Sequence, residues 1–181
     1  MRGRCAECGF DADHTSVPDS IVALRTFPRR WRAAFALLDE EDDEVLRRRP
    51  APQVWSALEY LAHTRDMAAV HGLGMGRTLT ENHPTFERPA GMTEESLAEG
   101  YGGLDVGATL DELAANLGRV ADRADRTDAG DWVRPATIRE PDGNEEEVDA
   151  RWFLHHIVHE ASHHLRDVHR VLQQVRGRPG R

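Results

Sequence analysis

The sequence predicts an all-α protein: a four-helix bundle with one long crossover connection and a small hairpin-like excursion before the last helix. Three observations carry this expectation. Apolar residues recur at helical spacing in four long segments, and glycine, proline and polar residues collect between them. Only one short stretch, Trp132 to Val148, carries the kind of turn that joins short strands. With 181 residues, 39% hydrophobic and 30% charged, the chain has material for one core rather than two.

Residues 1–15 form an N-terminal extension that holds the Cys5-Ala6-Glu7-Cys8-Gly9 knuckle and little that could pack. The bundle spans 16–176. Ser16 can cap the first helix and Pro18 suits its first turn, while Ile21, Leu24, Trp31, Phe35 and Leu38 supply the apolar stripe, with a bend expected at Pro28. The acidic run Asp39 to Glu44 reads as a solvated helix end, with Arg47 to Arg49 as its electrostatic counterpart before the Pro50-Ala51-Pro52 break. Pro52 can open a second helix through Val54, Leu58, Leu61, Ala62 and Ala69 to about His71, where Gly72, Gly74 and Gly76 dissolve the pattern.

Residues 82–103, rich in glycine, proline and polar side chains, form the long connection, with a short helical turn near Glu94 to Ala98. Thr109 and Glu112 have capping-box spacing for a third helix, whose stripe is Leu110, Leu113, Leu117 and Val120 and which ends near Arg126. Pro141-Asp142-Gly143-Asn144 marks the turn of the excursion. Asp149 caps the fourth helix, in which Phe153, Ile157, Ala161, Val168, Leu172 and Val175 form one stripe. It ends at Gly177 and Pro179, and 177–181 is a flexible tail.

The longest apolar run, Ala33 to Leu38, is far short of the ~20 residues a membrane-spanning helix needs, and Met1 to Phe10 has no apolar signal-peptide core. The net charge of -9 opposes a nucleic-acid or anionic-membrane partner. A cytoplasmic protein acting on a small molecule is expected, and a homodimer is compatible with the sequence. The two cysteines, Cys5 and Cys8, fit a reducing compartment. They could form half of a zinc knuckle with His14 as a third ligand, or a redox pair; without a second cysteine pair, a four-cysteine ribbon is excluded.

Ten histidines occur, and six of them, His155, His156, His159, His163, His164 and His169, lie in the fourth helix. Residues four apart on a helix share a face, so His155 with His159, His159 with His163, and Glu160 with His164 could each offer two ligands to one ion. At about 100° per residue, Glu160 and His164 lie beside the apolar stripe, whereas His159 and His163 lie nearly opposite it. A buried site therefore favours Glu160 and His164, with His63 in the middle of the second helix as third ligand. Asp66 and Asp167 could orient the imidazoles, while His155, His159 and His169 are expected to be partly exposed and outside the chemistry. Trp31, Trp55 and Trp152 read as core rather than substrate wall. The plainer alternatives are a buried Glu160–His164 hydrogen bond and a core histidine at 63.

The stretch from His156 to Val168, together with Trp55 and His63-Thr64-Arg65-Asp66, resembles the DinB/YfiT-like superfamily of metal-dependent four-helix bundles. In that superfamily one ligand comes from a His-x-x-Asp setting on helix 2, and two come from the last helix, four residues apart. Carried over by position, the resemblance gives His63, Glu160 and His164. Many members have histidine where this chain has Glu160, but the mycothiol-dependent maleylpyruvate isomerase branch is similar in using a glutamate. A rotated helix would make His159 and His163 the ligands instead.

The resemblance implies a divalent-metal enzyme using zinc, nickel, iron or manganese. It further implies a transferase or isomerase whose co-substrate is a low-molecular-weight thiol such as mycothiol or bacillithiol. Hydrolysis by metal-activated water would need the same ligands. A non-catalytic metal-binding or stress-response bundle is the reading from a different class.

Overall fold

The computed structural model describes residues 3–36, 43–90 and 98–177. Its four long helices are α1 (Val17–Phe35), α3 (Ala57–Thr80), α4 (Val106–Asp125) and α5 (Ala150–Arg176), with a short α2 (Asp43–Arg47) between the first two. Each long helix starts on a side-chain cap. Ser16, Ser56, Asp105 and Asp149 accept from the backbone N–H groups of Asp19, Glu59, Ala108 and Trp152 respectively. Each cap satisfies an otherwise orphaned donor and is worth about 0.5–2 kcal/mol relative to alanine.

Two of these starts differ from the sequence reading. Ser56, not Pro52, opens α3, because its hydroxyl accepts from Glu59 N–H while the Glu59 carboxylate accepts from Ser56 N–H, a complete capping box. Pro52 lies before it, in the turn closed by the Ala51–Val54 bridge. In α4 the cap is Asp105. Thr109 is buried within the helix, and its hydroxyl donates to the Asp105 carbonyl.

The glycines of α3 do not end it. Gly72, Gly74 and Gly76 lie inside the helix, where a Cβ on Gly72 would come within 2.8 Å of Val120 and one on Gly74 within 2.5 Å of the Phe153 ring. Their role is close approach to α4 and α5, which offsets their poor helix propensity.

The excursion before α5 is a hairpin of β2 (Pro135–Arg139) and β3 (Glu145–Asp149). A third strand, β1 (Thr85–Glu87), comes from the long connection and pairs in parallel with β2, giving the order β1-β2-β3. Three residues are too short for a periodicity signal, so the sequence reading missed it. The short helical turn expected near Glu94 to Ala98 falls almost wholly outside the described residues, as do Leu38, most of the Asp39–Glu44 run and the tail from 178 onward. The remainder of the acidic run, Asp43 and Glu44, pairs with Arg47 at the end of α2 and with Arg48 just after it.

Helix α3 packs along α4 and α5, and α1 closes the bundle against the same two helices. The core between them holds Leu24, Phe27, Trp31, Leu58, Leu61, Leu113, Leu117, Leu154, Ile157 and Val168. Trp31 is fully buried, and its indole N–H donates to the Ala161 carbonyl at 3.2 Å, tying α1 to the middle of α5. Residues 3–15 fold onto α5, with Phe10 buried in the same core against the rings of His155 and His159. Among the described residues, no helix is long and apolar enough to cross a membrane.

Candidate metal centre

Helical spacing places Glu160 and His164 one turn apart on the face of α5 that meets α3, and the α3–α5 packing brings His63 opposite them. His164 Nε2 stands 3.2 Å from Glu160 Oε2, and His63 Nε2 stands 3.5 Å from the same oxygen. The three side chains are between 13% and 15% exposed, and each has a donor atom within 4.8 Å of the others. This is the set read from the sequence.

Asp167 fixes one imidazole. Its Oδ2 accepts from His164 Nδ1–H at 2.9 Å, which points the opposite nitrogen, Nε2, at Glu160. Asp66 has a different role from the one expected. Its carboxylate accepts from Arg65 Nε–H and from the Tyr101 hydroxyl, both at 2.8 Å, so it braces the connection against α3. Among the described residues, His63 Nδ1 is buried without a hydrogen bond.

Burial alone would raise the Glu160 carboxyl, but hydrogen bonds with His159, His164 and His63 hold it far below the usual carboxylate range. Burial likewise opposes charge on His164, yet Asp167 and Glu160 lift that imidazole to about 9. The proton on His164 must therefore leave before its nitrogen can coordinate. The residues fit a divalent cation: the donors are imidazole and carboxylate from two helices, they converge, and a buried ring nitrogen lacks a partner.

A pocket of about 430 Å³ opens over these residues, lined by Glu7, Gln53, Trp55, Tyr60, His63, Glu160, His163, His164, Asp167 and Arg170. Trp55 is buried with Ala62, Ala98 and Tyr101, as the sequence reading has it, and it also lines this pocket and packs on the His63 ring at 5.0 Å. Tyr60 covers the His164 ring at 5.3 Å. Helical periodicity can assign a face to a tryptophan but cannot show that the neighbouring element leaves a gap beside it.

His159 and His163, the rotated alternative, face a different partner. They converge with Cys5 and Cys8 of the N-terminal knuckle, again with donor atoms within 4.8 Å of one another. The Cys8 backbone N–H lowers the Cys5 thiol; burial opposes this, but His159, the Glu7 N–H and His163 add to it and the thiol comes down to about 6. His14, the expected third ligand of the knuckle, is instead 83% exposed and pairs with Asp11 at 2.9 Å. His155 is buried rather than partly exposed and His159 is half-buried, because the N-terminal segment covers both; His169 is exposed as expected.

A further pair escaped the sequence reading. His71 and His156 stack at 4.4 Å beneath Trp152, and His156 Nε2 lies 3.8 Å from Glu160 Oε1. Burial first, and their mutual repulsion, bring His71 down to about 3. Burial likewise lowers His156 to about 4, so both stay neutral beside the site. Their available signal was spacing, since His156 precedes Glu160 by one turn.

The chain matches the family model of the DinB superfamily over residues 26–168, and it belongs to that superfamily. Among solved structures it is similar to YfiT from Bacillus subtilis, described as a probable metal-dependent hydrolase with an unusual four-helix bundle topology. The TM-score is 0.74 over 87% of this chain and 86% of that one, at 19% identity. It is also similar to a conserved protein from Enterococcus faecalis, with a TM-score of 0.63 over 88% and 96% of the two chains at 17% identity. At these identities the likeness establishes the fold. No curated protein matches the chain.

Proposed function

We propose that this chain is a divalent-metal-dependent enzyme whose ion is held by His63, Glu160 and His164, and that it transfers a low-molecular-weight thiol to, or isomerises with its help, a small electrophile. The observation that carries the reading is the convergence of two imidazoles on one buried carboxylate oxygen at the base of a pocket of about 430 Å³. A divalent ion with an open position supplies a thiolate or hydroxide nucleophile at neutral pH without a separate base.

The protein's own contribution is orientation and exclusion of water. Asp167 holds His164 in one tautomer, and Trp55 and Tyr60 shield the imidazoles from solvent. Arg170, at the pocket edge and 3.3 Å from Asp167, places a cation where an anionic group of a thiol or electrophile could dock.

A metal-dependent hydrolase is the second reading, favoured by the description given to YfiT. One assay separates the two. Metal-loaded protein is offered small electrophiles with and without mycothiol, bacillithiol or glutathione, and amide and ester substrates without thiol. Thiol-dependent turnover lost in His63→Ala supports transfer or isomerisation; thiol-independent cleavage lost in that variant supports the hydrolase and overturns the thiol reading.

A further inference from the structure

We infer that the N-terminal knuckle and α5 form a second metal site, a tetrahedral structural zinc centre ligated by Cys5, Cys8, His159 and His163, separate from the site under the pocket. The ligands have zinc-site spacing in both halves, Cys-x2-Cys on the knuckle and His-x3-His on the helix. The fold closes the 150-odd residues between the halves, which is why they do not read as one motif in the chain.

The knuckle is built for the purpose. Cys5 N–H donates to the Phe10 carbonyl at 2.8 Å, Gly9 N–H donates to the Cys5 carbonyl at 2.9 Å, and Arg4 bridges to Asp11. Gly9 has φ +78, a left-handed conformation that lets the chain turn back tightly after Cys8. Both thiols are free and half-buried against α5.

The helix side is complementary. Cys5 Sγ lies 3.5 Å from His163 Nδ1. Ligands on one tetrahedral zinc stand about 3.3–3.8 Å apart, given bonds of about 2.0–2.3 Å. The other nitrogen of His163, Nε2, lies 3.6 Å from Asp167 and 3.7 Å from Glu7, so its N–H faces carboxylates and Nδ1 is left to ligate. His159 is half-buried, with Nδ1 3.4 Å from Glu160 Oε1 and one ring nitrogen within 4.8 Å of the donor atoms of Cys5, Cys8 and His163.

Two i, i+4 pairs offset by one residue diverge by about 100° around a helix, so α5 can serve two ions without sharing a ligand. Glu160 and His164 turn toward His63, and His159 and His163 turn toward the cysteines. Closing the knuckle on α5 also carries Glu7 to the pocket, where it lies 3.5 Å from Arg170. A site formed this way stabilises the attachment of the N-terminal segment and one wall of the pocket.

The test is cobalt substitution of the full-length, untagged protein. Wild type is expected to show thiolate-to-cobalt charge transfer with tetrahedral ligand-field bands, retained in His63→Ala and lost in Cys8→Ser. Elemental analysis is expected to give one zinc equivalent fewer in Cys8→Ser than in wild type. Absence of thiolate charge transfer in reduced wild-type protein would overturn the inference. So would a Cys5–Cys8 disulfide, seen by mass spectrometry, as the form isolated under reducing conditions. The wild-type spectrum decides the matter even if Cys8→Ser does not fold, and His63→Ala reports on the other site independently.

Discussion

Asp167 and His164, three residues apart on α5, are joined by a 2.9 Å hydrogen bond that commits His164 Nδ1 as donor and turns Nε2 toward Glu160 and His63. A single carboxylate thereby decides which nitrogen is presented to an ion.

Removing that carboxylate is expected to weaken metal binding without removing a ligand. Asp167→Ala should lose about 10–100-fold in affinity, the range for losing a partner that orients a ligand. Asp167→Asn, which keeps an acceptor, should recover much of it. Competition with a chromophoric chelator measures both, and equal affinity in Asp167→Ala and wild type would show that His164 needs no such support.

The Glu59–Arg49 pair sets an acid-sensitive part of the stability. Glu59 accepts from Ser56 N–H and from two nitrogens of Arg49. Burial works against its charge, but Arg49 and the Ser56 bonds prevail and hold its carboxyl below the ordinary value of 4.5. The folded value lies below the unfolded one, so the stabilisation is complete above about pH 4.5 and is lost as pH falls through the folded value. Glu59→Gln should cost about 1.5–3 kcal/mol at pH 7, and the gap from wild type should narrow in acid. Urea unfolding at several pH values checks the sign.

Two glycine-to-alanine changes should have opposite signs. Alanine improves helix propensity by about 1 kcal/mol at either place. At Gly118 an added Cβ meets nothing within 4 Å among the described residues, so Gly118→Ala should raise Tm. At Gly74 it would stand 2.5 Å from buried Phe153, so Gly74→Ala should lower Tm, by a packing cost of about 1–3 kcal/mol that exceeds the propensity gain. Thermal unfolding of the two variants beside wild type reads the difference.

The sequence made the bundle legible because Leu113, Leu117 and Val120, or Phe153, Ile157 and Val168, repeat at a period set by helix geometry. The convergence of His63, Glu160 and His164 was accessible through that periodicity together with the resemblance of two short motifs. What was not legible were other contacts across elements. Gly74 reads as a helix end until Phe153 is seen against it, and β1 has no pattern of its own until β2 supplies a partner. Trp55 is core as read, but its second role as a pocket wall shows only once the neighbouring elements are in place. His159 and His163 could be placed on a face, but only the folding of the N-terminal segment onto α5 shows that Cys5 and Cys8 stand there.

The proposed centre requires His63 to join Glu160 and His164 around one ion, which metal content measures most directly. Untagged wild type and His63→Ala are loaded with zinc, freed of excess metal by gel filtration and compared by elemental analysis, with circular dichroism confirming that both are folded. His63→Ala is expected to retain one equivalent fewer than wild type. Equal metal content in two folded proteins would contradict the site.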